Sequence, residues 1–312
     1  MRTALLAALL LAFSTAARGA EHLTVLLDWF VNPNHGPLIV AQAIGAFARE
    51  NLDVDFVQPA DPTMPPRLIA AGQGDIAIDY QPQLYQQVVQ GLPITRIGVL
   101  VDRPLETLET LADTGIHSIA DLKGRRIGYN NVGGDIDLAE IGQMLATAKL
   151  TLSDVELVNV GTALSTSLLT HRVDAIGVNL NFEHFEVIDK GEVPRDFDYE
   201  AYGVPVFDEL IMVVRRDRAS DPRMPRFLRA VGEASAFIKA HPDQAWSLFV
   251  HLYPNDDNAL NRAAWNATIN YFAKDPFALD RAKYEAFGSF LLAHHVIARL
   301  PPLSALATAL SP

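Results

Sequence analysis

The 312-residue chain contains no cysteine. That excludes a disulfide framework, a thiol nucleophile, thiolate metal ligands and a lipid-modified N-terminal cysteine. Cationic residues are scarce: 25 Lys and Arg stand against 37 Asp and Glu, a formal net charge of −12, which disfavours nucleic acid and anionic membranes as partners. Beyond residue 20 no apolar run is long enough to cross a bilayer, so stable membrane insertion is not expected. G-x-S-x-G, H-E-x-x-H and Walker motifs are all missing, as are low-complexity tracts and heptads. A binding cleft that carries out no chemistry, with no cofactor and no metal, is the simplest account of these absences.

What the chain does contain begins with an apolar leader. Residues 1–20 have Arg2 as the only early charge, an apolar run from Ala4 to Phe13, and small residues thereafter. This pattern reads as a secretory signal peptide, cleaved after Ala17, Gly19 or Ala20. Its removal takes away Arg2 and Arg18 and moves the formal charge from −12 to −14. The expected product is a soluble protein exported to a bacterial periplasm, monomeric and without a lipid anchor. Roughly 290 residues suffice for two modest cores or one large one.

Hydrophobic spacing then gives a repeating grammar. Residues 24–27 read as a strand, followed by a loop, a helix at 37–49, a strand at 54–57, a helix at 65–72 and a strand at 76–78. The same order returns with a strand at 126–129, a loop at 130–134, a helix at 135–148, and strand, helix and strand at 155–160, 162–170 and 175–178. Leu68-Ile69-Ala70-Ala71-Gly72-Gln73-Gly74-Asp75-Ile76-Ala77 echoes Ser167-Leu168-Leu169-Thr170-His171-Arg172-Val173-Asp174-Ala175-Ile176. Two βαβαβ halves predict an α/β protein of two lobes with mostly parallel sheets and a central ligand cleft. Residues 108–121 read as the connection into the second lobe and 210–214 as a strand crossing back. Helices at 226–240, 242–253, 258–272 and 280–298 complete the first lobe. The expected division is 21–105 with 210–312 for lobe 1, and 106–209 for lobe 2.

Ligands of open α/β sheets sit beyond the carboxyl ends of the strands. Here those ends carry Asp28-Trp29, Asn34-His35, Gln58 and Asp79-Tyr80-Gln81 in one half, and Asn130 to Gly134, Gly161-Thr162 and Asn179 to Glu183 in the other. Rings, amides and carboxylates suit a flat polar heterocycle. Trp29 and Tyr80 are candidates for stacking on it, and Asp28 or Glu183 for paired hydrogen bonds with an amino-substituted ring nitrogen. None of these segments holds Arg or Lys, so an anion is the less favoured ligand. Each feature also has a plainer reading. Trp29 fits a core position, His35 a satisfied buried ring, and Asp135 a cap for the helix that Gly133-Gly134 would otherwise open to an anion. Glu183-His184-Phe185-Glu186 lacks the second histidine of a zinc helix and reads as solvated side chains.

Several of these stretches together resemble the thiamine-pyrimidine-synthase-like (NMT1/THI5-like) family. They are Leu27-Asp28-Trp29 with Asn34-His35, 41–47 running into Asn51-Leu52-Asp53-Val54, Gly72-Gln73-Gly74-Asp75 with Tyr80-Gln81-Pro82, and 122–129. The resemblance is nearest to exported substrate-binding proteins of ABC importers for formylaminopyrimidine-type thiamine precursors. It implies the type II periplasmic-binding-protein fold, with two lobes closing on a small heterocycle, and permease and ATPase subunits as partners. By resemblance Trp29 and Tyr80 would stack, Asp28 and Glu183 would be acidic contacts, Asn34 and His35 loop contacts, and Asn181 a further one. Fungal pyrimidine synthases of this kind use a cofactor lysine followed by a histidine, where this chain has Asp79 and Gln83, and a cysteine-rich iron motif that it lacks. The same fold also accommodates receptors for flavin precursors, sulfonate or nitrate, and desulfinase-like enzymes. These are the alternatives to a pyrimidine receptor.

Overall fold

The computed structural model describes residues 19–130 and 134–312. The expected leader and the expected glycine at 133 therefore lie wholly or almost wholly outside the described residues.

The chain opens with β1 (Glu21–Leu26), α1 (Gly36–Ala43), α2 (Ala46–Arg49), β2 (Leu52–Val57), α3 (Pro65–Ala70), β3 (Ile76–Asp79), α4 (Gln81–Val89) and β4 (Ile94–Val101). It continues with β5 (Glu106–Leu111), β6 (Arg126–Tyr129), α5 (Asp135–Thr147), β7 (Glu156–Asn159), α6 (Leu164–Leu169), β8 (Ala175–Asn179), α7 (Glu183–Asp189) and β9 (Pro194–Asp198). The last part holds β10 (Leu210–Arg215), α8 (Arg223–Ala240), α9 (Pro242–Leu252), α10 (Ala259–Thr268), α11 (Arg281–Ala293) and α12 (Leu303–Leu306). One sheet runs β2-β1-β3-β10-β4 and the other β7-β6-β8-β5-β9. The two orders correspond strand for strand, and each sheet receives one strand from a chain crossing, β10 in the first and β5 in the second.

The sequence echo marks the same device in both halves. After α3, Gln73 N–H bonds Leu68 O at 2.8 Å and Gly72 N–H bonds Ile69 O at 2.9 Å; after α6, Arg172 and His171 repeat this onto Ser167 and Leu168, both at 2.9 Å. Both helices thus end in a Schellman turn whose left-handed residue is Gly72 (φ 78°) or His171 (φ 53°). The aspartate that follows pins the next strand: Asp75 Oδ2 accepts Thr24 N–H and Asp174 Oδ2 accepts Arg126 N–H, each at 2.9 Å.

Four expectations need correction. The sheets are mixed rather than mostly parallel, because β10 runs antiparallel to β3 and β4 and β5 antiparallel to β8 and β9. Residues 108–121 are not a plain connection: their first part belongs to β5, whose charged Glu106 and Glu109 disguise a buried strand. The helix at 37–49 breaks at Gly45, which turns left-handed (φ 72°) and splits α1 from α2. Asp135 is not the N-cap of α5: Gly134 holds that position and Asp135 is the first helical residue.

Helices α8 and α9 pack on α1, and α8 also on β4, with Phe47 stacked on Phe227 at 5.2 Å. At Gly98 of β4 an added Cβ would meet Leu228 Cδ2 at 2.5 Å, Met212 Cε at 2.9 Å and Pro276 O at 3.1 Å. Gly98→Ala is therefore expected to lower stability by about 1–3 kcal/mol, measured by denaturant unfolding. An unchanged midpoint would mean that this helix–sheet contact has slack.

Candidate functional site

The loop after β1 is built by its own sequence. Asn32 caps a single 3₁₀ turn at Pro33–His35, its side chain accepting Asn34 N–H at 2.8 Å, with Pro33 in the first helical position where no N–H is needed. The turn folds the His35 ring back, and Asn32 N–H donates to Nδ1 at 3.2 Å. The ring proton therefore sits on Nε2, which donates to Asp28 Oδ1 at 2.9 Å. Tyr80 Oη donates to the other carboxylate oxygen at 2.6 Å. Burial pushes the Asp28 carboxyl up, but the His35 and Tyr80 hydrogen bonds outweigh it and hold the group below the usual carboxylate range.

Tyr80 forms one wall of a cleft between the two sheets. Glu106, Asp137, Glu183, Glu209, Tyr199, Gln83, Asn130 and Asn179 also line it, with Leu164, Gly177 and Val178 as apolar floor. The cavity measures about 90 Å³. That is well above the ~10–15 Å³ needed to admit a single water. No Lys or Arg lines it among the described residues. Arg103 lies beyond Glu106 and Tyr199, its guanidinium over Tyr271 at 5.0 Å, and Lys283 is spent on Asp208 at 2.6 Å and Asp102 O at 2.6 Å.

With four carboxyl groups and no cation, burial dominates the electrostatics. Desolvation raises Asp137, Glu183 and Glu209 each to about 7, and it raises Glu106, with Glu140 behind it, well above the usual range. Near neutral pH these groups therefore both donate and accept hydrogen bonds. Glu209 stands where the chain crosses back toward β10, and its Oε2 accepts Leu105 N–H from the other crossing at 2.9 Å. The other oxygen can carry the proton.

The structure brings only part of the expected set together. Tyr80 and Glu183 line the cleft, the latter anchored through Asn179 N–H to Oε2 at 3.0 Å. Asp28 and His35 lie behind Tyr80 and are buried, so His35 takes the satisfied-ring reading. Trp29 is half-buried beside Phe30, with ring centroids 6.1 Å apart, and is not among the residues lining this cleft. Asn181 joins the lobes: its amide donates to Asn34 Oδ1 and, at 2.8 Å, to Thr268 Oγ1 on α10. The stretch read as solvated is instead engaged, with Glu183 in the cleft, His184 paired with carboxylates and Glu186 accepting from Ser165. Glu106, Asp137, Glu209 and Tyr199 are cleft residues that the strand-end rule did not find.

The sequence profile described as NMT1/THI5 like matches residues 32–245. A Haemophilus influenzae protein named as a thiamine biosynthesis protein is 44% identical over 246 residues, 78% of this chain and 78% of that one. The formylaminopyrimidine-binding protein of Halalkalibacterium halodurans is 33% identical over 242 residues, 77% of this chain and 72% of that one. Other relatives carry the name 4-amino-5-hydroxymethyl-2-methylpyrimidine phosphate synthase. The periplasmic aliphatic sulphonate binding protein of Escherichia coli superposes with a TM-score of 0.71 at 14% identity, covering 94% of each chain. At that identity the likeness carries the fold alone, and it is the periplasmic-binding-protein fold with two α/β lobes. No helix among the described residues is long and apolar enough to cross a membrane. The chain belongs to the NMT1/THI5-like family.

Proposed function

We propose that this protein is the solute-binding component of an ABC importer, exported by its leader to the periplasm, where it takes up a pyrimidine precursor of thiamine of the formylaminopyrimidine or hydroxymethylpyrimidine type. The observation that carries this reading is the lining of the cleft: four carboxyl groups and two phenols, without a cation among the described residues. An aminopyrimidine edge offers an amino donor beside a ring-nitrogen acceptor. A carboxylic acid offers the reverse pair, so the two mate through two parallel hydrogen bonds. Tyr80 supplies a face for stacking, and Glu183 and Glu209 are the acidic contacts. Asp28 and His35 act from behind by fixing the Tyr80 hydroxyl, and Asn181 with Asn34 acts at the seam between lobes.

A sulfonate or nitrate would meet carboxyl oxygens where it needs cationic N–H groups, which ranks an anion receptor lower. The names of the relatives keep an enzyme as the second reading. Against it, the described cleft residues include no lysine, cysteine, serine or threonine to serve as nucleophile or cofactor anchor.

Titration calorimetry of the mature chain against formylaminopyrimidine, hydroxymethylpyrimidine, riboflavin and an alkanesulfonate tests the assignment. Binding of a pyrimidine with no heat from the sulfonate is expected. Saturable sulfonate binding with silence from both pyrimidines would overturn it.

A further inference from the structure

A second polar cluster lies in the second sheet, away from the residues that line the cleft. In the antiparallel pairing of β5 with β9, Glu109 sits directly opposite Asp196. Two like charges in such a pair repel, and the sheet is destabilised unless something positive bridges them. Glu109 is fully buried, and its Oε1 has no hydrogen-bond partner. Its Oε2 lies 2.9 Å from His184 Nδ1, and Asp196 Oδ2 lies 3.1 Å from the same nitrogen. One ring N–H is thus asked to serve two carboxylates, while a third buried oxygen goes unserved.

The geometry points to a divalent metal site of the zinc type formed by His184 Nδ1, Glu109 and Asp196. Their ligand atoms all lie within 4.8 Å of one another. With metal–ligand bonds of about 2.0–2.1 Å, tetrahedral donors stand about 3.3–3.4 Å apart. The 2.9 and 3.1 Å separations therefore need only a few tenths of an ångström of opening. A doubly charged ion neutralises both carboxylates and uses the lone pair of Nδ1. The His184 and Asp196 side chains are 20% and 23% exposed, which leaves the fourth position open to water. Such an ion would tie β5, β9 and α7 together, and α7 begins with Glu183 of the cleft. The competing occupant is a proton on Glu109, whose carboxyl burial and the neighbouring Asp196 raise to about 9.

Equilibrium dialysis of the chelator-stripped full chain against zinc alone separates the two. About one zinc per chain is expected for the wild type, with loss of that equivalent in His184→Gln and in Asp196→Asn, the latter at a partly exposed position. Cobalt loading should give visible d–d bands in the wild type that both variants lack. No zinc retained by the wild type, or equal zinc retained by folded variants, would overturn the site. Equal retention would place the ion at another histidine, and none retained would leave the proton as the bridge.

Discussion

Binding of an aminopyrimidine is expected to be insensitive to pH up to about 7 and then to weaken by about tenfold for each further pH unit. The reason is the proton that the paired hydrogen bonds require. Glu209 has its carboxyl raised to about 7 by burial, with the Asp28 and Asp137 charges adding to the shift. Below 7 the group already holds the proton that the ring nitrogen accepts. Above 7 the free protein loses that proton while the complex keeps it, so the complex binds one proton more and its affinity must fall as pH rises. Burial acts in the same direction on Asp137, also at about 7. A cleft that worked by ionised carboxylates on a cation would behave oppositely, tightening through the same interval.

Glu209→Gln makes the argument specific. The amide keeps one donor and one acceptor at the carboxyl position, so binding should survive with the dependence on pH flattened. Glu209→Leu removes both and should cost about 1.5–3 kcal/mol, or roughly 10- to 150-fold in affinity. Calorimetric titrations from pH 6 to pH 9 on the three proteins provide the measurement. Affinity that stays constant or rises in the wild type above pH 7 would remove Glu209 from the ligand contact.

The rule that ligands gather at the carboxyl ends of strands finds Tyr80 and Glu183, because each follows a parallel strand in the repeat. It cannot find Glu106 or Glu209, which sit where the chain crosses between sheets. The return crossing through residues 210–214 was legible as a strand, but β5 was hidden because it carries two glutamates in six residues, and its alternation looked like a polar linker. A usable signal was present on α5, where Glu140 falls on the same stripe as buried Ile136, Ile141 and Met144. A carboxylate at core spacing points to a buried acid, and its neighbour Asp137 lies one turn earlier in the cleft. The Asp75 and Asp174 anchors were legible for the opposite reason: their role is local, set by a helix end and the adjacent strand, and needs no knowledge of tertiary contacts. Trp29 was the hardest to place, since an indole beside a strand end fits a binding wall, a lobe surface and a core equally well.

The second large effect concerns Asp28. His35→Ala is expected to destabilise the protein by about 3–5 kcal/mol, from the hydrogen bond lost to a buried carboxylate and the cavity left by the ring. Asp28 is 5% exposed, and without the imidazole its remaining side-chain partner is the Tyr80 hydroxyl. Asp28→Asn should be far milder, at about 1–2 kcal/mol, because the amide oxygen still accepts from His35 Nε2 and the amide nitrogen can donate to a rotated Tyr80 hydroxyl. The pH dependence carries a definite sign. Burial raises the Asp28 carboxyl, but the His35 and Tyr80 bonds outweigh it, so the net shift is downward. The stability this gives is present above the ordinary carboxylate range and is lost as pH falls through the lowered native value. In His35→Ala the imidazole's share of that downward pull is gone and burial lifts the carboxyl, so the gap between wild type and variant should narrow in acid and be widest near neutrality. Urea unfolding of the ligand-free proteins at several pH values tests this. A loss under about 1 kcal/mol at neutral pH would mean that the Asp28 carboxylate finds water when the ring is gone. Tyr80 would then owe its place in the cleft to packing rather than to the pair behind it.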